Sequence, residues 1–205
     1  MGDTIKFVNL NLGYQQCYEL HNLSKTQGAV VLEGIAQVVD SLKRDWIGND
    51  ATLHINRLIK EYDGLTEFLN GTIASLSIAS EGIIATQQVR HSGDHSQKVD
   101  TVLSRAPINA RKLAMVSQTE SMDTNKQAQK ADFAKFQEFV EVFDKFTSTF
   151  DQDADALMGN WMSGANREGV RASFDRFRSA VARIRTLLTN TTTDQTTTTS
   201  NYSGI

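Results

Sequence analysis

The chain has 205 residues, of which 40% are hydrophobic and 22% are charged. These proportions are typical of a soluble globular protein and argue against an intrinsically disordered chain. The formal net charge of −3 at pH 7 gives no electrostatic basis for binding nucleic acid, because proteins that do so concentrate Lys and Arg on one face.

The N-terminal residues and the cysteine content do not indicate a classical secreted protein. Residues 1–30 lack the basic start, apolar run and small-residue cleavage site of a secretory signal, and apolar stretches such as 82–85 are too short to cross a bilayer. Cys17 is the only cysteine, which excludes an intrachain disulfide. It is best interpreted as a small apolar residue on a helix, with an intermolecular disulfide as the alternative. We therefore expect a cytoplasmic protein or one exported without a classical signal.

Residues 1–85 are predicted to form a helical hairpin. Residues at mostly three- and four-residue steps predict a first helix from about residue 15 to residue 45: Leu20, Gln27, Val31, Ile35, Val38 and Leu42. A second stripe predicts a helix that continues to about residue 83: Ile55, Leu58, Tyr62, Leu65, Leu69, Ile73 and Leu76. The turn between them contains Trp46 and Gly48, and Asn49 or Asp50 is a natural N-cap for the second helix.

Residues 86–125 are more polar and less regular, and we expect a linker here. Residues 90–95 have the composition of a loop, and Pro107, the only proline, starts or ends a short helical piece. Five spaced apolar residues also leave open one marginal helix packed beside the hairpins: Leu103, Ala106, Ala110, Leu113 and Val116. The sequence does not decide whether this segment is ordered.

Residues 126–190 are predicted to form a second hairpin, with Trp161 and Gly164 in its turn. Its first helix carries an aromatic stripe that is typical of a core rather than of a ligand site: Phe133, Phe136, Val140, Phe143, Phe146, Phe150 and Leu157. Its second helix has steps that alternate between four and three residues, the pattern of helices packed in a bundle: Val170, Phe174, Phe177, Val181, Ile184 and Leu188. The Thr-rich tract 191–205 has little to bury and is expected to be disordered.

The charges of the last two predicted helices are complementary. The third helix is rich in Asp and Glu, including Asp144, Asp151 and Asp155, whereas the fourth carries six Arg residues, including Arg178 and Arg185. Packed antiparallel, the two helices would present opposite signs along their shared edges. An exposed pair contributes at most about 1 kcal/mol, so such pairs select the partner and register more than they stabilise.

The two hairpins share one plan, which predicts an internal duplication. Their turns contain the only two tryptophans of the chain. A tight reversal needs a backbone position with positive φ, which Gly48 and Gly164 supply without a Cβ clash. The neighbouring Trp ring covers the end of the hairpin and can also contact a partner. We therefore predict Trp46, Gly48, Trp161 and Gly164 as hairpin-turn or partner-binding residues.

A helix, a Trp-x-Gly turn and a second helix resemble the WxG (early-secreted-antigen-like) family of Gram-positive type VII secretion proteins. Residues 46–48 match the motif as written, whereas residues 161–164, Trp-Met-Ser-Gly, contain one inserted residue. The resemblance covers roughly residues 1–85 and 126–190. It implies an all-α fold in which two antiparallel hairpins form a four-helix bundle or an elongated helical assembly. In the competing arrangement, one hairpin stays free for a partner.

The resemblance also implies a function and partners. The export signal of the family, a Tyr followed four residues later by Asp or Glu, is absent, because Tyr18 is followed at that spacing by Asn22 and Tyr62 by Thr66. We therefore expect a non-catalytic adaptor or co-secreted targeting factor that accompanies a larger effector, such as an LXG-type toxin, and contacts the secretion machinery. Such a virulence-associated protein is cytoplasmic before export. A homo-oligomer remains an option and membrane contact is not predicted. The alternatives are a membrane-active secreted effector and a cytoplasmic helical scaffold.

No residue pattern supports catalysis, and we predict no cofactor and no metal. His91 and His95 have a spacing that would suit a metal ion on a helix, but the Ser and Gly between them favour a loop, and no further ligand is evident. His54 lies beside an apolar stripe and is expected at a helix interface. The chain has no Gly-rich phosphate loop and no Ser-His-Asp or Cys-His arrangement with supporting context.

Overall fold

The computed structural model describes residues 5–90, 101–118, 123–124, 126–164 and 166–201. This part of the chain contains four long helices, which confirms the predicted all-α fold class. The helices are α1 (Leu10–Asp45), α2 (Asn49–Arg90), α3 (Lys126–Asn160) and α4 (Arg167–Asn201). Between and before them lie short strands that the sequence does not predict: β1 (Lys6–Phe7), β2 (Trp46–Ile47), β3 (Asp123–Thr124) and β4 (Trp161–Ser163).

The first two helices extend beyond the limits that their apolar stripes predict. α1 begins at Leu10 because Asn9 caps it, and the Asn9 Oδ1 accepts the amide hydrogen of Leu12 at 3.1 Å. An Asn side chain in this position satisfies one of the orphan amides of the first turn. α2 continues to Arg90, so this residue, predicted as the start of a loop, is helical, and the rest of that prediction, residues 91–95, lies outside the described residues.

The Thr-rich tract differs from its prediction. α4 runs to Asn201, so residues 191–201 are helical rather than disordered, and residues 202–205 lie outside the described part of the chain. Thr191 is 1% exposed, its hydroxyl donates to the Leu187 carbonyl at 2.8 Å, and its Oγ1 lies 2.6 Å from the His54 Nε2. Threonine has a low helix propensity, but the burial of Thr191 and its contact with another helix outweigh that preference.

Residues 101–118, here called the strap, form neither helix nor strand. The option of a marginal helix between Leu103 and Val116 is therefore wrong. In a helix, Pro107 would lack its amide hydrogen and its ring would clash with the carbonyl of Leu103. The Ser104 Oγ accepts the amide hydrogen of Ala106 at 3.2 Å and fixes a turn just before the proline. Backbone groups elsewhere in the strap, such as those of Leu103 and Val116, bond to side chains of α2.

The chain divides into two compact units, and neither coincides with one hairpin. Unit one comprises Met1–Ala29, Glu67–Asn109 and Thr147–Arg178. Unit two comprises Val30–Thr66, Ala110–Phe146 and Ser179–Ile205. Each unit therefore takes a segment from all four helices, because every helix is long enough to contribute to both.

The core of unit one is built around an aromatic cluster. The ring of Phe150 in α3 lies 4.1 Å from that of Phe177 and 5.7 Å from that of Phe174, both in α4. Phe68 of α2 packs edge-on against Phe150 at 5.8 Å. α1 approaches α2 closely, since a Cβ added at Gly28 would lie 3.0 Å from Leu69 Cδ1. Tilted and edge-on ring pairs of this kind contribute stability beyond their buried area.

The core of unit two combines aliphatic residues of α2 and α4 with aromatic residues of α3. Gly34 of α1 lies directly against the ring of Phe139 in α3, with no room for a Cβ atom. Leu58 and Ile59 of α2 and Ile184 of α4 are fully buried. The glycine thus allows an aromatic ring to pack on the backbone of the neighbouring helix.

The aromatic stripe of α3 is part of the core, as predicted. Its members are distributed over both units, and the side chain of Phe133 lies outside the described part of the chain. The buried members are Phe136, Phe143, Phe146, Phe150 and Leu157.

The predicted charge pairing of α3 and α4 is confirmed in each unit. In unit one, Arg178 contacts Asp151 and Asp155, each at 2.5 Å, and these two hydrogen bonds raise the pKa of Arg178. In unit two, Arg185 contacts Asp144 at 2.8 Å. These side chains are 35–70% exposed, so they fix the register of the two helices more than they stabilise them.

Candidate functional site

The turn that contains Trp46 lies in unit two. Gly48 has a φ of 150°, which side chains rarely permit, and β2 pairs antiparallel with β3, so that Trp46 faces Thr124. The Trp46 ring is partly exposed and lies 5.6 Å from the ring of His54. His54 in turn lies 2.6 Å from the Thr191 Oγ1. This histidine sits at a helix interface, as the sequence predicts.

The turn that contains Trp161 lies in unit one. Gly164 has a φ of 122°, and β4 pairs antiparallel with β1. The Trp161 ring is 0% exposed and stacks on Phe7 with a centroid distance of 5.3 Å and an interplanar angle of 19°. Its indole Nε1 has no hydrogen-bond partner among the described residues. The ring is therefore part of the core of unit one and offers no surface to a partner.

The residue inserted into the second Trp-x-Gly motif is Met162, and it forms a β-bulge. Lys6 pairs with Ser163 and Phe7 with Trp161, so Met162 has no opposite residue in β1. A bulge accommodates one extra residue and redirects the side chains around it. Met162 is 64% exposed, whereas the Trp beside it is directed inward. The departure from the motif thus has a local structural cause.

A buried polar residue precedes each tryptophan, and sequence reasoning missed both. Asn160 is 7% exposed; its Oδ1 accepts the Asn9 amide hydrogen at 2.9 Å, and its Nδ2 donates to the Asn9 carbonyl at 3.0 Å. Asp45 is 4% exposed and is bound by Arg44, which bridges it to the buried Asp132 of α3 at 2.6 Å. The only available signal was their shared position directly before a Trp.

The end of α3 is further held by the start of α4. The Arg167 guanidinium donates to the carbonyl oxygen of Trp161 and, at 3.5 Å, to that of Met158. The last carbonyls of a helix lack intrahelical partners and carry partial negative charge, so an arginine is favourable there. Arg167, which the charge pattern assigned to a face shared with α3, acts on the backbone instead.

The two turns are used reciprocally. The Trp161 turn of the second hairpin pairs with β1, which directly precedes α1, and the Trp46 turn of the first hairpin pairs with β3, which directly precedes α3. Each hairpin therefore contributes its turn to one two-stranded sheet and its N-terminal strand to the other. This relation is the one expected of a duplicated unit that pairs with its own copy.

Exposed apolar side chains accompany each turn. In unit two, Ile47 lies within the turn and Leu53 in the first turns of α2, with exposures of 37% and 51%. In unit one, Val8 and Met162 are 71% and 64% exposed. Because Trp46 is also partly exposed, the turn in unit two offers an apolar surface that includes an aromatic ring. Aromatic residues and Met are enriched in the centres of protein interfaces.

The remaining candidate groups offer little chemistry. His91 and His95 lie outside the described residues, and in the described part of the chain no group of three His, Cys, Asp or Glu side chains is placed to hold a metal ion. Cys17 is 0% exposed, and burial raises its pKa to about 12, so the thiol is neutral and shielded from oxidation. A cleft of about 380 Å³ in unit two lies between α2 and α4, where Arg183 contacts Glu61 at 2.8 Å. Its described lining contains no nucleophile paired with a base.

One described helix differs from the expectation that nothing crosses a bilayer. Residues Asn49–Val89 of α2 are long and apolar enough to do so by length and composition alone. The uninterrupted apolar runs of the sequence are short, but a window of 18 residues in this helix combines moderate hydropathy with few charges. Half of its most apolar window is buried inside the protein, which is also typical of a core helix.

The chain matches no family model, no curated protein and no solved structure. Its function therefore has to be inferred from its own residues and contacts.

Proposed function

We propose that this chain is a non-catalytic binding protein associated with type VII secretion, which acts as a helical partner or co-secreted targeting factor of a larger effector such as an LXG-type toxin. The observation that supports this proposal most strongly is the reciprocal pairing of the two Trp turns with the strands β1 and β3. A single chain with two such hairpins corresponds to a covalently joined pair of WxG-like subunits. Linkage in one chain makes their pairing independent of protein concentration.

The Trp46 turn is the proposed contact with the partner. It combines the partly exposed Trp46 ring with Ile47 and Leu53, whereas the Trp161 ring is enclosed by its own unit. Buried aromatic anchors dominate the binding energy of protein interfaces. The proposed partner surface is therefore a helical segment of the effector with an apolar face.

Light scattering combined with size-exclusion chromatography and circular dichroism tests the self-pairing. We expect a compact, strongly helical monomer. A partly unfolded or aggregating chain would mean that one hairpin waits for a missing helical partner, and a dimer would place the second copy on the surface assigned to the effector.

Co-expression with the products of the neighbouring genes tests the partner. We expect a stable complex with an effector that has a helical N-terminal region. The double substitution Ile47→Ser and Leu53→Ser should reduce the co-purified effector at least tenfold, whereas Val30→Ser, at a residue of the same unit that is 55% exposed, should not. If no neighbouring product binds and deletion of the secretion ATPase leaves the chain's distribution unchanged, the proposal is wrong and a cytoplasmic scaffold is favoured.

A membrane-active effector is the second candidate, because α2 has the length and composition of a membrane span. Insertion would require α2 to leave the contacts of its apolar stripe, and residues such as Leu58, Leu65 and Leu69 are 0% exposed. Dye release from liposomes of anionic phospholipids separates the two candidates. We expect no release from the folded chain at micromolar concentration, and rapid release would favour the effector.

A further inference from the structure

In unit one, side chains of α1 and α2 bind the main chain of the strap. The hydroxyl of Ser77 donates to the Leu103 carbonyl at 2.7 Å, and the Ser80 Oγ accepts the Leu103 amide hydrogen at 3.1 Å. The Asn70 Oδ1 accepts the amide hydrogen of Ile108 at 2.7 Å. From α1, Tyr14 donates to the Thr101 carbonyl at 2.5 Å, and the His21 Nε2, which must carry the proton because a carbonyl only accepts, lies 2.7 Å from the Ser104 carbonyl.

In unit two, the same two helices repeat this mode of binding. Both polar atoms of the Asn56 side chain in α2 bond to one residue of the strap. The Nδ2 donates to the Val116 carbonyl at 2.9 Å, and the Oδ1 accepts the Val116 amide hydrogen at 2.8 Å. The hydroxyl of Tyr62 donates to the Arg111 carbonyl at 2.6 Å, and the Lys43 Nζ of α1 donates to the Ala114 carbonyl at 2.5 Å. Contacts to the main chain do not depend on which residue the strap presents.

The strap adds side-chain anchors to these backbone contacts. Leu103 in unit one and Leu113 in unit two are 7% and 8% exposed, and Ile108, midway between them in sequence, is partly buried near Gly28. Aliphatic residues thus recur every fifth position. Between them, two arginines contact acidic residues of the helices: Arg105 with Glu81 at 2.7 Å, and Arg111 with Asp40 at 2.6 Å and Glu33 at 3.9 Å.

The helices carry buried polar groups that depend on the strap. Ser77 and Ser80 lie on the otherwise apolar stripe of α2 and are 0% exposed. The hydroxyl of Ser77 donates to the strap, whereas that of Ser80 donates to the Ser77 carbonyl of its own helix and accepts from the strap. Tyr62 is 2% exposed, and burial raises its pKa, so the phenol is kept as a donor. A buried hydroxyl without a partner is costly, so Ser77 and Tyr62 are explained by a peptide that lies on the helices and accepts their hydrogen bonds.

We infer that the α1–α2 surface is, in each unit, a binding site for an extended polypeptide, and that residues 101–118 are its resident ligand. The ligand of this site is a segment with aliphatic residues at every fifth position and arginine between them. Its backbone amide and carbonyl groups must be available to bond with Asn56, Asn70 and Ser77. This inference is independent of the proposed role in secretion, because the site binds an irregular peptide segment, whereas the proposed partner surface binds a helix.

Replacement of residues 101–118 by a Gly/Ser linker of equal length, in the full chain, leaves both hairpins joined and the surface vacant. Fluorescence anisotropy then follows a labelled synthetic peptide with the sequence of residues 101–118. We expect saturable one-to-one binding to this variant and none to the wild-type chain at the same micromolar concentrations, because a tethered ligand has an effective concentration in the millimolar range.

Two matched controls separate this site from non-specific adhesion. Adding Asn56→Leu and Ser77→Ala to the linker variant should weaken peptide binding at least tenfold, because both substitutions remove groups that bind the peptide main chain. A scrambled peptide of the same composition should also bind at least tenfold more weakly, because the spacing of the aliphatic anchors is lost.

The outcome is decisive whether or not the linker variant folds. If it is helical by circular dichroism and the peptide does not bind, the inference is overturned. If it is unfolded, the added peptide should restore at least half of the wild-type helical signal, and failure to restore it equally overturns the inference. Neither assay contains a secretion partner, so the result leaves the proposed function to its own tests.

Discussion

The two Trp turns have the same plan but different environments. Each has a Trp at the start of a short strand, a glycine with positive φ and a buried polar residue directly before the Trp. Phe7 of β1 stacks on Trp161, whereas the residue opposite Trp46 is Thr124 of β3, which has no ring. One turn is therefore closed by its partner strand, and the other keeps part of its aromatic surface open. The two turns thus share a plan, but one ring is enclosed by its own unit and the other remains available for the proposed contact with a partner.

The largest expected effect separates the two tryptophans. Trp161→Ala removes a fully buried ring and should destabilise the protein by about 3–5 kcal/mol. Trp46→Ala removes a partly exposed ring and should cost about 1–2 kcal/mol. Urea denaturation followed by circular dichroism at 222 nm measures both. Equal losses would show that the two rings are equally enclosed in solution and would remove the basis for assigning the partner surface to Trp46.

A smaller effect tests the buried amide beside Trp161. Asn160→Asp keeps the size of the side chain but replaces the Nδ2 donor, which faces the Asn9 carbonyl and the Gln16 Oε1, with an oxygen. We expect the free energy of unfolding to fall by about 2 kcal/mol, because the new carboxylate oxygen would face two other hydrogen-bond acceptors and no donor. Asn22→Asp, at an exposed position of the same unit, is the matched control and should change the free energy of unfolding by less than about 0.5 kcal/mol. The same loss in both variants would indicate a general effect of charge.

Substitution of Gly164 in the same turn should lower the free energy of unfolding by about 1–3 kcal/mol. Gly164→Ala forces a Cβ atom onto a φ of 122°, a conformation that L-residues rarely adopt. Gly159→Ala, in the last turns of α3, meets nothing within 4 Å and should instead stabilise by about 0.5–1 kcal/mol through helix propensity. Thermal unfolding of the two variants should therefore shift in opposite directions. A shift in the same direction would mean that the turn relaxes to another conformation.

The smallest predicted effect concerns the open turn. Thr191→Val keeps the shape of the side chain but removes the hydroxyl next to His54, with an expected loss of about 1 kcal/mol. Because His54 packs on Trp46, acrylamide quenching of Trp46 should increase, measured in a Trp161→Phe background so that a single tryptophan reports. Unchanged quenching would show that His54 does not position the ring.

The sequence predicts the helices well because their stabilising contacts repeat regularly along the chain. The stripes that end in Leu42, Leu76, Leu157 and Leu188 all belong to helices with buried apolar faces. The turns follow from the two Trp-Gly pairs. These features are local or periodic, and periodicity is the strongest signal that a single sequence carries.

The missed features depend on contacts between distant parts of the chain. Strands of two or three residues are too short to show a repeating pattern of apolar residues, so neither segment alone indicates that Phe7 pairs with Trp161. The spacing of the apolar residues in the strap leaves a marginal helix open beside a linker, whereas Leu103 and Leu113 anchor an irregular segment with backbone groups that bond to side chains of α2. Thr191 lies in a tract without helix preference, and its partner is His54, far away in sequence. Tertiary contacts outweigh local propensity in each of these cases.

The reciprocal pairing of the strands also determines the order in which a nascent chain can complete its sheets. β2 can pair with β3 once residue 124 has left the ribosome, whereas β1, which is made first, finds β4 only after residue 163 has emerged. Closing that longer loop costs more chain entropy, and contacts between residues far apart in sequence form slowly. Phe7, which is buried in the finished protein, therefore lacks the covering ring of Trp161 through most of synthesis, whereas Ile5 can pack against Gly82 of α2 much earlier.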